Sequence, residues 1–365
     1  MGCSSSSIVQ VYTNHPDAVI LACYFNPKNN EHRKLAFLRF YESIQNCNHR
    51  IIECVVGESD FLFPSETPHI RQVRTSCLLW HKEALLNILI RELPARFKYV
   101  FWVDGDITFT NKNWIVDSVE KLQSSCTIIQ PFRFAIHMEK GEVKPSPATL
   151  AQKDGCGDMI EPKTMRRVWR SYGSVVEDYR AARGNYVDSS IVEYDLHGHV
   201  GFAWGIRREI LDSCGGLYDR ALVGGGDHIM AHAVMTAPPN VHRCIQKCHT
   251  EPEELRMIAL WSRTFHSLCG MRLGSCGGDV YHTWHGELSD RRYFQRICEF
   301  SPYIPRINER DTNGLFFTKD PAVVKYMNEY FASVSSGSEN ASKSEMEMNE
   351  ASESAEDRIE GGYYD

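Results

Sequence analysis

The sequence predicts an α/β fold with parallel central strands flanked by helices. Three observations carry that expectation. Short apolar runs rich in strand formers alternate with stretches of helical periodicity over residues 18–109. The strand candidates end in turn-forming or acidic residues, and in such sheets ligands bind at the carboxyl ends of the strands. The composition, 42% hydrophobic and 24% charged over 365 residues, is that of an ordinary globular chain.

The elements follow in order. "AVILACYF" (Ala18 to Phe25) reads as a first strand, ended by the turn cluster "NPKNN". "HRKLAFLRFYESI" carries Leu35, Leu38 and Ile44 at a loose helical spacing. "RIIECVVGESD" is a second strand. "TSCLLWHKEALLNILIRELPARF" is the clearest helix, with Leu78, Leu79, Leu85, Leu86, Leu89, Ile90 and Leu93 at helical period and Pro94 as its stop. "YVFWVDGDITF" is a third strand delivering Asp104 and Asp106. Residues 132 to about 194 are expected to be irregular loops plus one helix in "MRRVWRSYGSVVEDYRAAR", a long excursion of the kind that walls a substrate site. "DHIMAHAVM" reads as a later helix.

Three units are expected. Residues 1–16 form a flexible N-terminus, residues 17–332 one folded domain with an extension from about 300, and residues 333–365 a disordered acidic tail. From Ser335 to Asp365 nine acidic residues face Lys343 and Arg358, so the whole formal charge of −7 resides there. The rest is close to neutral, which argues against nucleic acid as a partner. The start "MGCSSS" fits the N-myristoylation pattern at Gly2, with Cys3 available for palmitate. A disordered Ser-rich terminus is the equal alternative. The expectation is a cytoplasmic chain, with peripheral membrane contact through Gly2 and Cys3 where both are acylated. Thirteen irregularly spaced cysteines suggest reduced, buried thiols. "HRCIQKCH" (His242 to His249) has no second pair at zinc-ribbon spacing, and a structural role is favoured there.

Three stretches carry chemistry. In an extended chain Asp104 and Asp106 point to one side, with small Gly105 leaving open approach between them. Two carboxylates so close repel unless a cation joins them, and Mg²⁺ or Mn²⁺ resolves the repulsion; a solvated turn is the alternative. "GHVGFAWGIRREILDSCGGLYDRALVGGGD" offers glycines for close backbone approach, Trp204 beside Gly205 as a face for a sugar ring, and Asp227 at a helix start. Asp227 is either an N-cap or a general base. In "YHTWHGELSDRRYFQR", His282 and His285 flank Trp284, and His285 could complete the coordination of a divalent ion. Arg291, Arg292 and Arg296 could meet phosphate.

These three stretches, in this order from about Asp17 to Arg296, resemble the nucleotide-sugar glycosyltransferases of the GT-A fold, galactosyltransferase-like or glycosyltransferase-2-like, whose core is a Rossmann-like mixed sheet. The resemblance implies Mn²⁺ (or Mg²⁺) and a nucleotide-sugar diphosphate at Asp104 and Asp106, with His285 as late metal ligand. It implies Asp227 as the base of an inverting transfer to a glycan, lipid or protein acceptor, and Trp204 and Gly205 as the sugar site. Tyr24, Phe25, Asn26 and Glu58 would hold base and ribose, with Lys82 and Asn87 nearby. The family's frequent acidic pair stands here as Gly226-Asp227, a departure that leaves stereochemistry open. A nucleotidyltransferase would share the sheet and the paired carboxylates, but "CYFNPKNN" lacks the glycine-rich phosphate loop. A non-catalytic carbohydrate-binding protein is a third reading.

Overall fold

The computed structural model describes residues 10–154, 167–183, 198–286 and 291–336. Gly2 and Cys3 lie outside them. The strands are β1 Ala18–Phe25, β2 His49–Val56, β3 Ile70–Thr75, β4 Tyr99–Val103, β5 Ile107–Phe109, β6 Ile128–Gln130, β7 Phe134–His137, β8 Val168–Arg170, β9 Ala203–Arg207, β10 Leu273–Ser275 and β11 Asp279–His282, with a short pair β12 Glu309–Arg310 and β13 Phe316–Phe317. The helices are α1 Glu31–Ser43, α2 Lys82–Glu92, α3 Trp114–Ser124, α4 Pro147–Ala151, α5 Tyr172–Arg183, α6 Arg208–Cys214, α7 Gly226–Met235, α8 Arg243–Cys248, α9 Pro252–Cys269, α10 Tyr293–Phe300 and α11 Pro321–Ser336.

A seven-stranded sheet runs β10-β6-β9-β4-β1-β2-β3. Strands β4, β1, β2 and β3 run parallel to one another, while β9 runs antiparallel to β4 and β6. The expected α/β arrangement with parallel central strands is therefore present. β1 is apolar throughout because both of its faces are covered. Val19 and Leu21 pack with Leu85, Leu86 and Leu89 of α2. Ala18, Ile20 and Ala22 face the other way, onto Phe37 and Phe40 of α1 and Ile115, Val119 and Leu122 of α3.

A second sheet, β5-β11-β7-β8, stands beside the first. It corrects the reading of "YVFWVDGDITF" as one strand. The chain leaves the large sheet after Val103, turns through Asp104-Gly105-Asp106, and enters the small sheet at Ile107. The Asp104 N–H donates to the Phe202 carbonyl at 2.7 Å, and the Asp106 carbonyl accepts from the Thr283 N–H at 2.8 Å. The turn is thus tied to both sheets. Gly105 is not an opening toward ligand, since a Cβ there would overlap the ring of Phe37.

Other boundaries moved for local reasons. The α2 helix starts at Lys82, because residues 76–81 are spent joining it to a distant loop, the Trp80 N–H donating to the Leu222 carbonyl at 2.8 Å. β3, half-exposed at the sheet edge, has too few apolar residues to stand out. The excursion after Phe132 holds strands β7 and β8 besides α4 and α5; residues 155–166 and 184–197 lie outside the described set. Helix α11 runs to Ser336, so residues 333–336 extend it, and the remainder of the expected tail is outside the described residues. No helix among the described residues is long and apolar enough to cross a membrane.

Candidate active site

The turn after β4 sends its two acids to different partners. Asp104 Oδ1 lies 2.7 Å from Lys82 Nζ, and the same ammonium lies 2.8 Å from Asp227 Oδ2. Lys82 opens α2 and Asp227 sits in the first turn of α7, so two helix starts and one strand end converge. The cap position of α7 is Gly225, with φ of 91°, and no side chain caps the helix. Asp227 is therefore free of the capping role that the sequence left open.

Charge is unevenly balanced around Lys82. Burial alone would lower its pKa, but Asp104 and Asp227 outweigh that and hold it well above the usual lysine range. Burial, opposed by Lys82, pushes Asp104 up to about 6. Glu83, buried behind Gly226, is pushed by burial up to about 8, again against the pull of Lys82. With Glu83 protonated near neutrality, one lysine faces two carboxylates that cannot both be neutralised by it.

Asp106 forms the second cluster. Its Oδ2 lies 2.8 Å from His285 Nε2 and 3.5 Å from His282 Nε2. One donor atom from each of the three residues falls within 4.8 Å of the others. Burial would raise Asp106, yet the two imidazoles hold it well below the carboxylate range. Burial in turn lowers both histidines, His285 to about 4, so they are neutral ligands at neutral pH. The Arg291 guanidinium approaches the same nitrogens, at 2.9 Å from His285 Nε2 and 3.3 Å from His282 Nε2. Oδ1 of Asp106 is buried with no hydrogen-bond partner among the described residues. A carboxylate with an orphaned oxygen beside two neutral imidazoles fits a divalent cation.

The expected pairing of Asp104 with Asp106 on one metal is thus not what the turn presents. Asp106, His282 and His285 form the compact donor set, and Asp104 faces Lys82 and Asp227. His282 was visible in "HTWHG" but not assigned, because the β11 register that turns it inward opposite Ile107 is a tertiary fact. His282 also stacks on Phe202 at 5.0 Å and stands 4.9 Å from His137. Arg33 comes close as well; burial, and next the charge of Arg291, lower its pKa, while Asp106 favours its charge.

The sugar and nucleotide positions divide. Trp204 has no exposed surface: it lies in β9 opposite Trp102, its Nε1 donating to the Val200 carbonyl. It is a core residue and offers no stacking face. Gly205 is small because a Cβ would overlap Phe101, not because a ligand approaches. Asn87 is spent on the loop before α7, exchanging two hydrogen bonds with Leu217 at 2.8 and 2.9 Å. Tyr24 and Asn26, by contrast, line a cavity of about 370 Å³ at the carboxyl ends of β1 and β2, with Ser59, Asp60, Phe61 and Leu62. Glu58 is exposed and does not line it; Asp60, two residues on, does. Glu53, buried in β2, holds this loop by accepting from the Phe63 N–H at 3.3 Å and from Gln72 Nε2 at 3.1 Å.

Solved structures that the chain is similar to include S. aureus TarS 1–349 in complex with UDP-GlcNAc, at 8% identity and a TM-score of 0.38 over 74% of this chain and 59% of that one. The catalytic domain of Drosophila beta1,4-galactosyltransferase 7 with xylobiose is 12% identical, with a TM-score of 0.28 over 59% and 58% of the two chains. Glucosyl-3-phosphoglycerate synthase from Mycobacterium tuberculosis, in complex with Mn²⁺, UDP and phosphoglyceric acid, is 10% identical, with a TM-score of 0.36 over 79% and 78%. The chain is similar to glycosyltransferases. It spans under three fifths of the length of the first two. No family model and no curated protein matches it.

Proposed function

We propose that the chain is a metal-dependent glycosyltransferase of the GT-A type, moving a hexose from a UDP-sugar to an acceptor hydroxyl with inversion and with Asp227 as base. The observation that carries this reading is the bridge from Lys82 to Asp104 and Asp227, directly beside the Asp106–His282–His285 set. A cation site and a separate carboxylate thereby meet at the carboxyl edge of the parallel strands, where such sheets bind ligands.

Asp106, His282 and His285 would hold the metal. Two nitrogens and one oxygen suit Mn²⁺ better than Mg²⁺, which prefers oxygen alone. When bound, it would offset charge on the diphosphate leaving group. The chain's own groups supply the rest. Lys82 engages Oδ2 of Asp227 and leaves Oδ1 to take the proton of the attacking hydroxyl. The cavity at Tyr24, Asn26 and Asp60 has the size for a nucleoside. Mn²⁺ and UDP are held together in the mycobacterial synthase structure, and the same pair is the donor-side cargo proposed here. A glycan, lipid or protein hydroxyl is the acceptor class.

A nucleotide-sugar hydrolysis panel with Mn²⁺ tests the reading. UDP-sugar turnover is expected in the wild type and is expected to fall at least ~100-fold in Asp106→Ala. Equal turnover in the two proteins would sink the proposal.

A further inference from the structure

Away from Asp106, a second set of metal-type donors is assembled where helix α7 meets α8. His232 lies in the body of α7, His242 is the cap residue of α8, and Cys244 stands in its first turn. One donor atom of each falls within 4.8 Å of the other two, and all three residues are buried. The His232 and His242 rings are stacked, with centroids 4.2 Å apart and planes 3° from parallel. His228, one helical turn before His232, adds another buried imidazole with its ring 4.8 Å from that of His232. The segment "HRCIQKCH" alone has no partner pair at zinc spacing; the fold supplies the missing donor from His232, ten residues upstream.

We propose that His232, His242 and Cys244 form a structural site for a thiophilic divalent cation, Zn²⁺, distinct from the site at Asp106. Two imidazoles and a thiolate are donor types zinc takes, with a water in the fourth position where the protein supplies three, whereas Mg²⁺ and Mn²⁺ favour carboxylates. Zn–N bonds of about 2.0–2.1 Å and a Zn–S bond of about 2.3 Å require the trio to close around the ion. That closure would fall to the short helix α8 and the loop before it. His242 Nδ1 now accepts from the Cys244 N–H at 3.2 Å, a weak bond that ligation through that nitrogen replaces. On binding, the Cys244 thiol gives its proton to solvent and its sulfur forms the bond to zinc. The ion thereby closes the nine residues Ala233 to Val241 into a loop and fastens α8 to α7. Helix α7 is the one that presents Asp227 at its other end.

The test uses the full chain, purified, reconstituted with Zn²⁺ and dialysed against metal-free buffer. About one equivalent of zinc is expected to remain in Asp106→Ala, where the other donor set is disabled, and less than about a tenth in Asp106→Ala/Cys244→Ala and Asp106→Ala/His242→Ala. Substitution by Co²⁺ is expected to give a thiolate-to-cobalt charge-transfer band in the wild type and in Asp106→Ala, lost in Cys244→Ser. No thiolate is in the Asp106 set, so the band excludes that set, and its loss in Cys244→Ser assigns it to Cys244 among the thirteen cysteines. Its absence from the wild type overturns the proposal, as does zinc that is lost in Asp106→Ala and kept in Cys244→Ala. Because the wild-type and Asp106→Ala spectra decide the matter, a Cys244 variant that fails to fold does not shield it.

Discussion

Lys82 and Asp227, 145 residues apart in the chain, meet at 2.8 Å, and the same lysine holds Asp104 at 2.7 Å. One partly buried cation is the link between the end of β4 and the start of α7. Lys82→Met is expected to leave two carboxylates facing each other in a partly buried place, at a cost on the order of 1–3 kcal/mol, below the figure for a fully buried pair. Denaturant unfolding at neutral pH reads that loss. Lys82→Arg, which keeps the charge, is expected to recover most of the stability. A Lys82→Met protein as stable as the wild type would show that the bridge carries no weight.

On the proposed reading, His282 would be a metal ligand as much as His285. Each alanine variant is expected to weaken Mn²⁺ binding by at least ~10-fold, and the double variant to abolish it. Manganese titration followed by electron paramagnetic resonance of the free ion measures this. Tight binding retained in His282→Ala would return that residue to the packing against Phe202 and His137.

Gly105 is held small by Phe37. Gly105→Ala is expected to destabilise the fold by ~1–3 kcal/mol, the usual cost of overpacking. Adding Phe37→Leu is expected to return part of that loss, since the two sites are in direct contact. Additive losses in the double variant would contradict the contact.

Acid sensitivity should trace to buried histidines. His81, whose Nε2–H donates to the Cys77 carbonyl at 3.2 Å, is pushed by burial down to about 4. Between that value and 6.5 the unfolded chain binds a proton that the folded one refuses, so stability falls as pH falls through the window. His81→Gln is expected to remove on the order of 3 kcal/mol of that loss. His137 and His199, lowered by burial in the same direction, keep a residual slope. Unfolding free energies at pH 7 and pH 4.5 compare the two proteins.

Much of the parallel core was legible because it is written locally. β1 buries both faces, so it shows as an unbroken apolar run, and α2 shows as a periodic one. Trp204 was misread for the same reason that β9 was missed. An aromatic beside a glycine suggests a sugar platform, but whether it faces solvent depends on Trp102 across the sheet. The two aspartates were legible as a site and illegible as a pair. Their separation depends on a turn between sheets, and the second sheet is built from pieces of three to four residues that carry no periodic signal. His285 was read from its place beside Trp284 and from the family resemblance, while His282 needed the β11 register to be recognised. Lys82 was placed near the nucleotide, and its actual partners lie 22 and 145 residues away.

The two halves of the turn after β4 are completed at different moments in the life of the chain. Asp104 finds Lys82 already made, whereas Asp106 waits for His285, 179 residues later. At roughly 5–20 residues per second, a ribosome needs on the order of ten to forty seconds to close that gap. For that interval a nascent chain holds an acid aimed at partners that do not yet exist, and a protein truncated before His282 never acquires them. Manganese capture at Asp106 would therefore serve as a clock for the last stage of folding, silent until the second sheet has closed.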